Sequence, residues 1–439
     1  MHRHLWGIIL VLPGMAVIAD ESVKPGDLAG DWVITHELYG ETDYQRMTVN
    51  VVRDRISTTF FGMKLDGEIR NGKIELKRSG KEGPRMSLTG TLERGAISGE
   101  FTVDDLRGKW NATRIPIRPP NAARQHVFEP KQFHRVFSGA IPPVLHIYPG
   151  DTVKTWSIDA AGVDASGVRR SLGGNPQTGP FYIEGALPGD TLVVKLTRIR
   201  LNRDTAISTA SLARGATTPN YAVSNKSEES DDSNWVLDRE HGVARLANPT
   251  EALKHFTVPL RPFLGCVGVA PPGHMVFRSG YPGRFGGNMD YNRLREGVTL
   301  YLPVSQPGAM LFMGDGHAAQ GDGELTGNAL ETSMDIEFTV DVIPGKGASM
   351  PRAEDDEFLM AMGIAGSLTE AFQIATTEMA RWLEERHKLK AKEVASVLGM
   401  AMLYDIAEVV DPYVNVVARV PKEMLAPIPE PGRLSVSDK

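Results

Sequence analysis

Short runs that alternate apolar and polar residues occupy most of the first quarter of the chain. Such alternation is typical of strands that bury one face. The clearest runs recur at short intervals, at residues 46–52, 67–76, 86–92, 96–101 and 108–113. Asn71-Gly72 divides the second run and predicts a tight hairpin turn. We therefore expect residues 20–115 to form a small antiparallel β domain, either a barrel or a meander.

A proline-rich segment follows this region. Residues 116–123 include Pro116, Pro119 and Pro120, and prolines favour extended, non-helical chain. We interpret the segment as a stiff linker that leads into a second domain over residues 124–439.

Strand signals continue in the second domain. Residues 298–304 and 334–340 read as strands, and two similar phrases at 147–153 and 186–194 each place a Pro-Gly turn before a β-branched run. Between 208 and 234 the composition shifts to Ser, Thr, Asn, Asp and Glu. This shift predicts a long loop, either a mobile lid or a disordered segment.

Helical periodicity enters near residue 367. Ser367 followed three residues later by Glu370 matches a capping box, and apolar residues then recur at helical spacing. The pattern predicts a helix that runs to about His387.

A second helix is expected over residues 392–410, because apolar residues keep the helical spacing and Pro412 prevents propagation. Residues 414–420 then read as a strand that returns to the main sheet. The predicted fold class is therefore α+β and β-rich, with the helices within about 354–411.

Composition limits the possible partners. The chain has 439 residues, 41% of them hydrophobic, a formal net charge of -6 and a pI near 6.0. Without a basic run, this balance argues against nucleic-acid binding. The single cysteine, Cys266, excludes an intrachain disulfide, and its apolar neighbours indicate a core residue.

The amino terminus resembles a secretory signal peptide. A weakly basic start precedes an apolar run at residues 5–17, and Val17-Ile18-Ala19 offers a cleavage site. We expect residues 1–19 to be the signal and the protein to be exported, either periplasmic or secreted. An uncleaved anchor is the alternative. No later segment has the run of about 18 apolar residues that a membrane span requires.

The richest candidate chemistry lies in residues 312–324, where Asp315, His317, Asp322 and Glu324 stand among glycines and alanines. Residues two apart in an extended chain project to the same side, so the first two should share one face and the last two another. Such pairs could hold a cation. A structural calcium loop is the alternative, although the spacing matches neither an EF-hand nor a nonapeptide repeat.

Three segments carry a family resemblance: 174–186, 286–290 and 314–324. With 258–263, 268–271 and Glu331 they resemble the acetamidase/formamidase family from about residue 136 to 421. The region before 115 lies outside the pattern. The resemblance implies a β-sandwich/barrel core with C-terminal helices, and an amidohydrolase that converts short linear amides to carboxylate and ammonia.

Water is the expected nucleophile. The chain has no Ser-Ser-Lys arrangement, and Cys266 lacks the local context of a nitrilase nucleophile, so covalent catalysis has no evident carrier. A divalent metal, zinc in the first place and calcium as the alternative, would activate the water. From the chemistry of the family motifs, we expect His317, Asp315 and Asp290 to be its ligands.

The remaining candidate residues follow from the same motifs. Glu324 is the preferred general acid/base, and Glu184 or Asp322 could exchange roles with it or with a ligand. Asn288 and nearby backbone amides are candidates to stabilise an oxyanion, and Glu331 is a further site candidate. Two functional hypotheses result: an exported metal-dependent amidase, or a non-catalytic binder of a small ligand or cation. A homo-oligomer is the default expectation for either.

Overall fold

The computed structural model describes residues 25–53, 55–78, 83–116, 118, 123–224, 232–345 and 347–432. The predicted signal peptide and most of the predicted linker lie outside the described residues. The described residues fall into two compact units. One comprises residues 25–41 and 47–114, and the other comprises 42–46 and the described residues from 115 onward.

The first unit is a closed barrel in which eight antiparallel strands follow one another in chain order. Its strands are β1 (Gly30–Leu38), β2 (Glu41–Val52), β3 (Arg55–Phe60), β4 (Met63–Arg70), β5 (Lys73–Arg78), β6 (Met86–Glu93), β7 (Ala96–Val103) and β8 (Leu106–Arg114). Strand β1 pairs with β8 and so closes the barrel. Closure leaves no exposed strand edge, which suits a small antiparallel sheet.

The alternation along these strands sends large side chains inward. Trp32, Phe60, Phe101 and Trp110 are fully buried in the barrel core. Asn71 and Gly72 both adopt positive φ angles, 49° and 73°, between β4 and β5, as a two-residue hairpin of this kind requires. The predicted hairpin is confirmed.

The second unit contains two large sheets and one small one. The described strands of the eleven-stranded sheet are β11 (Leu145–Ile147), β13 (Gln177–Ile183), β15 (Thr205–Thr209), β16 (Asp232–Asp238), β17 (Val243–Leu246), β18 (Thr257–Pro259), β19 (Phe263–Gly268), β21 (Pro282–Gly283), β22 (Gly286–Asn288), β24 (Leu311–His317) and β25 (Glu331–Thr332). The two-stranded sheet joins β10 (Val136–Phe137) to β20 (Phe277–Arg278).

The other large sheet has nine strands in the order β29-β30-β28-β27-β23-β14-β26-β12-β9. They are β9 (Gln125–Val127), β12 (Thr152–Ser157), β14 (Thr191–Leu201), β23 (Thr299–Pro303), β26 (Met334–Ile343), β27 (Arg352–Glu354), β28 (Phe358–Ala365), β29 (Leu403–Glu408) and β30 (Val414–Pro421). The main core contains side chains of both sheets: the ring of Phe181 on β13, for example, lies 5.2 Å from that of Phe338 on β26. The prediction of a β-rich sandwich and barrel fold is confirmed.

Four α-helices occur in the described part of the chain: α1 (Pro219–Ser224), α2 (Leu368–His387), α3 (Ala391–Ala401) and α4 (Lys422–Leu425). Helix α2 begins as predicted, because the side chain of Ser367 accepts a hydrogen bond from the backbone N–H of Glu370. None of these helices has the length and apolar character needed to cross a bilayer.

The second predicted helix, 392–410, is wrong over almost half of its length, from residue 402 onward. Helix α3 ends at Ala401, and β29 pairs antiparallel with β30 instead of continuing the helix. Tyr404 and Ile406 favour a strand, and the free edge of β30 supplies the hydrogen bonds that local helical spacing did not reveal. Strands β27 and β28 likewise occupy part of the predicted helical region.

The polar stretch at 208–234 is not one continuous loop. It contains α1 and, near its ends, the last residues of β15 and the first of β16. Residues 225–231 lie outside the described part, so the predicted lid stays a prediction.

Candidate active site

The centre of the candidate site is strand β24, all seven residues of which are buried. Asp315 and His317 lie two residues apart at the end of this strand, and their side chains project into the same space. Glu331 on β25 lies directly opposite His317 in the sheet register, and Phe263 on β19 lies opposite it on the other side. Gly265 of the same strand β19 leaves room for the acidic side chains. The sheet thus places three ligand-type groups side by side.

His317 is the hub of the arrangement. Its Nε2 lies 3.2 Å from Oε1 of Glu331 and 3.5 Å from Oδ2 of Asp315, and its Nδ1 lies 3.9 Å from Oδ1 of Asp290. Two triplets, Asp290-His317-Glu324 and Asp315-His317-Glu331, each bring one ligand atom per residue within 4.8 Å of the others. All five side chains are buried. We call Asp290, Asp315, His317, Glu324 and Glu331 the central cluster.

Two asparagines hold the acids in place. The side-chain nitrogen of Asn288 donates to Oδ2 of Asp290 and, over 2.9 Å, to Oδ2 of Asp411. The side-chain nitrogen of Asn175 donates to Asp315 over 3.0 Å and to the amide oxygen of Asn288 over 2.9 Å. Each asparagine therefore has both of its amide hydrogens engaged. Their geometry is that of positioning groups.

The orientation of His317 is fixed by Gln320. The side-chain nitrogen of Gln320 donates to the carbonyl oxygens of Asp290 (2.7 Å) and Ala407 (3.2 Å), so its amide oxygen faces Nδ1 of His317 at 3.1 Å. The Nδ1 atom of His317 therefore carries a hydrogen, which it donates to the amide oxygen of Gln320. Nε2 is left facing Asp315 and Glu331, on the side where a metal would be held.

Burial dominates the electrostatics of the central cluster. Desolvation, with the charge of Glu324, raises the pKa of Asp290 well above its ordinary value. Burial likewise raises the pKa of Glu324 well above its ordinary value and that of Glu331 to about 7, against the lowering effect of His317. Burial alone would lower the pKa of His317, but Glu331 and Asp315 raise it. Nearby, desolvation raises the pKa of Asp411 to about 7. Several carboxyl groups buried close together are unfavourable when charged, and a bound cation would compensate their negative charge.

Several residues of the site hold unusual backbone conformations. Asn175, Asp290, Asp315 and Glu324 all adopt positive φ angles, of 52°, 42°, 59° and 47°. Asn and Asp tolerate this region better than other residues, whereas a glutamate there is strained by on the order of 1 kcal/mol or more. Such strain concentrates at functional sites, where surrounding structure imposes it.

The cluster has the properties of a metal site. Buried polar atoms of four members make no well-aligned hydrogen bond: Oδ1 of Asp290, Oδ1 of Asp315, Nε2 of His317 and Oε2 of Glu331. A Cβ on Gly265 would lie 2.3 Å from Asp290 Oδ1 and 2.9 Å from Asp315 Oδ2, so only glycine leaves the space open. Carboxylates with one imidazole suit zinc and also hard cations such as calcium.

Six of the eight residues chosen from the sequence meet here: Asp290, Asp315, His317, Glu324, Glu331 and Asn288. The other two lie elsewhere. Asp322 is exposed and accepts a hydrogen bond from Asn292 over 2.8 Å. The expectation that it shares a face with Glu324 is wrong, because Gly323 and Glu324 have positive φ angles and the chain there is turned instead of extended.

Glu184 is also outside the cluster. It follows β13 and pairs with the exposed His146, Nδ1 to Oε1 at 2.8 Å. The other end of β13, at Gln177, pairs with Gly314 beside the site. Seven residues of strand correspond to roughly 20 Å, so Glu184 is too distant to exchange roles with a ligand.

Sequence reasoning missed several residues that support the cluster. They are Asn175, Gly265, Gln320, Glu408 and Asp411. Asn175 and Gln320 lie inside segments already singled out, so their polar character was the available signal. Asp411 stands directly before Pro412 at the end of the predicted helix, and nothing local indicates that it meets Asn288 across 123 residues.

Known proteins place this arrangement in context. The family model described as the Acetamidase/Formamidase family matches residues 276–367, which include Asn288, Asp290, Asp315, His317, Glu324 and Glu331. A Schizosaccharomyces pombe protein named "Putative formamidase C869.04" is 51% identical over 47 residues. That match spans 10% of this chain and only 12% of the relative's length.

Solved structures resemble the chain over a longer range. A recombinant predicted acetamidase/formamidase from Thermoanaerobacter tengcongensis matches with a TM-score of 0.60 and 25% identity, over 70% of this chain and 99% of that one. An acetamidase from Yersinia enterocolitica matches with a TM-score of 0.61 and 28% identity, over 70% and 94%. An acetamidase from Bacillus halodurans gives 0.58 and 25%, over 69% and 99%. The sequence segments and the shared fold together confirm the resemblance of this chain to the acetamidase/formamidase family.

Proposed function

We propose that the protein hydrolyses the C–N bond of short linear amides, with water as the nucleophile, to give a carboxylate and ammonia. One observation carries the proposal: a buried cluster of four acids and one imidazole has unsatisfied atoms around the space that Gly265 leaves open. The family resemblance supports the reaction type.

His317, Asp315 and Glu331 are the residues best placed to hold a divalent metal, zinc in our proposal, on the Nε2 side of the imidazole. Asp290, which the sequence favoured as a ligand, lies on the Nδ1 side of His317 and belongs to the other triplet, with His317 and Glu324. When bound, the metal supplies a Lewis acid that polarises the amide oxygen and lowers the pKa of water to about 7.

Glu324 is the proposed proton carrier. Burial raises its pKa, which brings its carboxyl group closer to the working range of a general acid/base near neutral pH. The carboxylate would accept the proton of the attacking water and return it to the leaving nitrogen, since an amine departs only when protonated. Asn288 has no free amide hydrogen for an oxyanion, so we assign it to positioning Asp290.

Metal content and ammonia release, measured on the same preparations, test the proposal. The wild-type protein should contain a divalent metal and release ammonia from formamide, acetamide or propionamide, and a chelator should abolish turnover until zinc is restored. His317→Ala should lose both metal and activity. Glu324→Gln should keep the metal and lose at least about a hundred-fold in turnover, the usual contribution of general acid/base catalysis. Hydrolysis that survives complete metal removal would reject the metal mechanism and leave the amidase assignment in place.

A non-catalytic cation-binding protein is the second candidate, because four carboxylates and one imidazole also suit calcium. In that case the wild type would hold metal yet release no ammonia from any amide, and Glu324→Gln would change only the affinity for metal.

Export also stays a proposal, since residues 1–24 lie outside the described part. The sequence signal supports it. Amino-terminal sequencing of the protein recovered from the periplasm or medium should begin near Asp20, whereas a chain that begins at Met1 in the membrane fraction would indicate the uncleaved anchor.

A further inference from the structure

We infer that the substrate carries a carboxylate on its acyl arm, so that the protein acts on half-amides of dicarboxylic acids. The inference rests on the proposed amidase function and names its substrate class. Its basis is a cavity of about 420 Å³ whose lining includes Gly174, the residue before Asn175, which in turn contacts Asp315 of the central cluster. The residues that line it include Arg135, Gly173, Gly174, Arg278, Gly280 and Tyr281.

Two guanidinium groups make the lining of this cavity positively charged. Arg278 pairs with Val136 in the register of β10 and β20, Arg135 immediately precedes β10, and both arginines line the cavity. Both are exposed. The side chain of Arg135 donates one hydrogen bond, over 3.3 Å, to the carbonyl oxygen of Gly173.

Among the described residues, neither Arg135 nor Arg278 takes part in an ion pair, and none of the residues that line the cavity is acidic. By contrast, Arg200 and Arg239, which line another cavity, pair with Glu296 and Asp204. Two guanidinium groups without an acidic partner, in a cavity lined by glycines, are suited to bind a planar carboxylate.

The cavity adjoins the proposed active site through short connections. The side chain of Ser279, next to Arg278, donates to the carbonyl oxygen of Gly174 over 2.8 Å. Asn175 follows Gly174 directly and contacts Asp315. Since Gly173 precedes Asn175 by two residues, the guanidinium of Arg135 is on the order of 10 Å from the Asn175 amide. The proposed substrate spans this distance.

The charge distribution explains why the anion would be held here. The central cluster is rich in carboxylates, which repel a carboxylate brought close to them. Two arginines outside it attract that group and fix the distance to the amide end. An acyl arm of about two to four carbons between the two ends fits this separation after allowance for a salt-bridge distance at one end. Hydrolysis then consumes one water and yields the dicarboxylate and ammonium.

Substrate comparison tests the inference. Succinamate and glutaramate are compared with acetamide and butyramide, which have neutral arms. Wild-type protein should show the higher kcat/KM for the charged amides. Arg135→Gln, Arg278→Gln and the double variant should raise KM for the charged amides, with about a ten-fold or larger loss of kcat/KM in the double variant, and leave acetamide turnover unchanged. Arg278→Lys should restore part of the loss.

Arg198→Gln is the matched control, because Arg198 is an exposed arginine that lines a different cavity. It removes the same charge and should leave both substrate classes unaffected. An equal loss in Arg198→Gln would show a general charge effect and overturn the inference. So would a wild type that prefers the neutral amides, or a double variant without a selective effect.

Calorimetric binding of succinate separates this inference from the proposed reaction. Wild-type protein should bind succinate more tightly than acetate, and the double arginine variant should lose that preference. If no amide is hydrolysed but succinate binding depends on the arginines, the proposed amidase function fails and the anion site stands. If amides are hydrolysed but succinate binds no better than acetate, only the anion site is refuted.

Discussion

Gly265→Ala is the most direct perturbation of the central cluster, because it adds one carbon and removes no ligand. The new Cβ would lie 2.3 Å from Oδ1 of Asp290, 2.6 Å from Cε1 of His317 and 2.9 Å from Oδ2 of Asp315. Ordinary contacts begin near 3.4 Å, so the Asp290 oxygen must retreat by about 1 Å. Gly265 has no positive φ angle, so alanine adds no backbone strain there.

The expected loss of metal affinity follows from the displacement of these side chains. Metal sites tolerate deviations of about 0.2 Å in ligand distance, whereas Oδ2 of the proposed ligand Asp315, at 2.9 Å from the new Cβ, must itself move by about 0.5 Å to reach ordinary contact. We expect the affinity for metal to fall at least ten- to a hundred-fold, the loss typical when groups that orient ligands are disturbed. Overpacking should lower the free energy of unfolding of the metal-free protein by about 1–3 kcal/mol.

Competition with a chromophoric chelator measures the affinity, and thermal unfolding with and without metal measures the stability. Gly321→Ala is the control, since a Cβ on this neighbouring glycine would meet no atom within 4 Å. It should bind metal as the wild type does. The reasoning is refuted if Gly265→Ala binds metal as tightly as Gly321→Ala, because the space that Gly265 leaves open beside His317 and Asp315 would then not be the metal site.

Three further predictions concern Glu354, Asn288 and Ser367 of the second unit. Burial acts to raise the pKa of Glu354, but hydrogen bonds from Lys422 and Tyr301 and the charge of Arg386 lower it overall, so Glu354→Gln should reduce the free energy of unfolding by about 2 kcal/mol at pH 7. Because the pKa of Glu354 is lower in the folded protein, the difference in unfolding free energy between wild type and variant should be complete above pH 4.5, the ordinary value, and vanish as the pH falls through the folded-state pKa. Denaturant titrations at several pH values measure this difference. A difference that does not change with pH would contradict the assignment. Asn288→Ala should weaken metal binding about ten-fold in chelator competition, since two buried acids lose their donor; unchanged affinity would refute its positioning role. Ser367→Ala should cost about 1 kcal/mol in denaturant unfolding through loss of the cap of α2, and no change would show that the cap is replaced by water.

Local patterns predicted those features that local physics determines. The barrel strands follow from alternation, the β4–β5 turn from Asn71-Gly72, and the start of α2 from Ser367. Asp315 and His317 were grouped because residues two apart in an extended chain share a face. The cluster was expected on loops between strands, whereas both residues lie within β24. In each case the decisive interaction spans only a few residues.

The features that depend on contacts between distant parts of the chain could not be predicted from the local sequence. Strand β29 exists because β30 offers a pairing edge, and helical spacing in 392–410 contains no information about that edge. Asp411 meets Asn288, and Asn175 meets Asp315, across more than a hundred residues. Asp322 and Glu324 were paired on the assumption of an extended chain, which the positive φ angle of Glu324 contradicts. The errors therefore fall where tertiary contacts or strained backbone override the local pattern.

The strained positions and the buried acids occur at the same place, and this coincidence has a physical explanation. A chain that folded for stability alone would neither hold Glu324 at a positive φ angle nor bury Asp290, Asp315 and Glu331 around one imidazole. Both costs must be offset by the stability of the surrounding fold, whose apolar core is extensive. A bound cation would offset the electrostatic cost in addition, because it attracts every carboxylate of the cluster at once. The native protein should therefore gain stability from metal through these same residues, and the gain should be smaller in Gly265→Ala, where the acids can no longer converge.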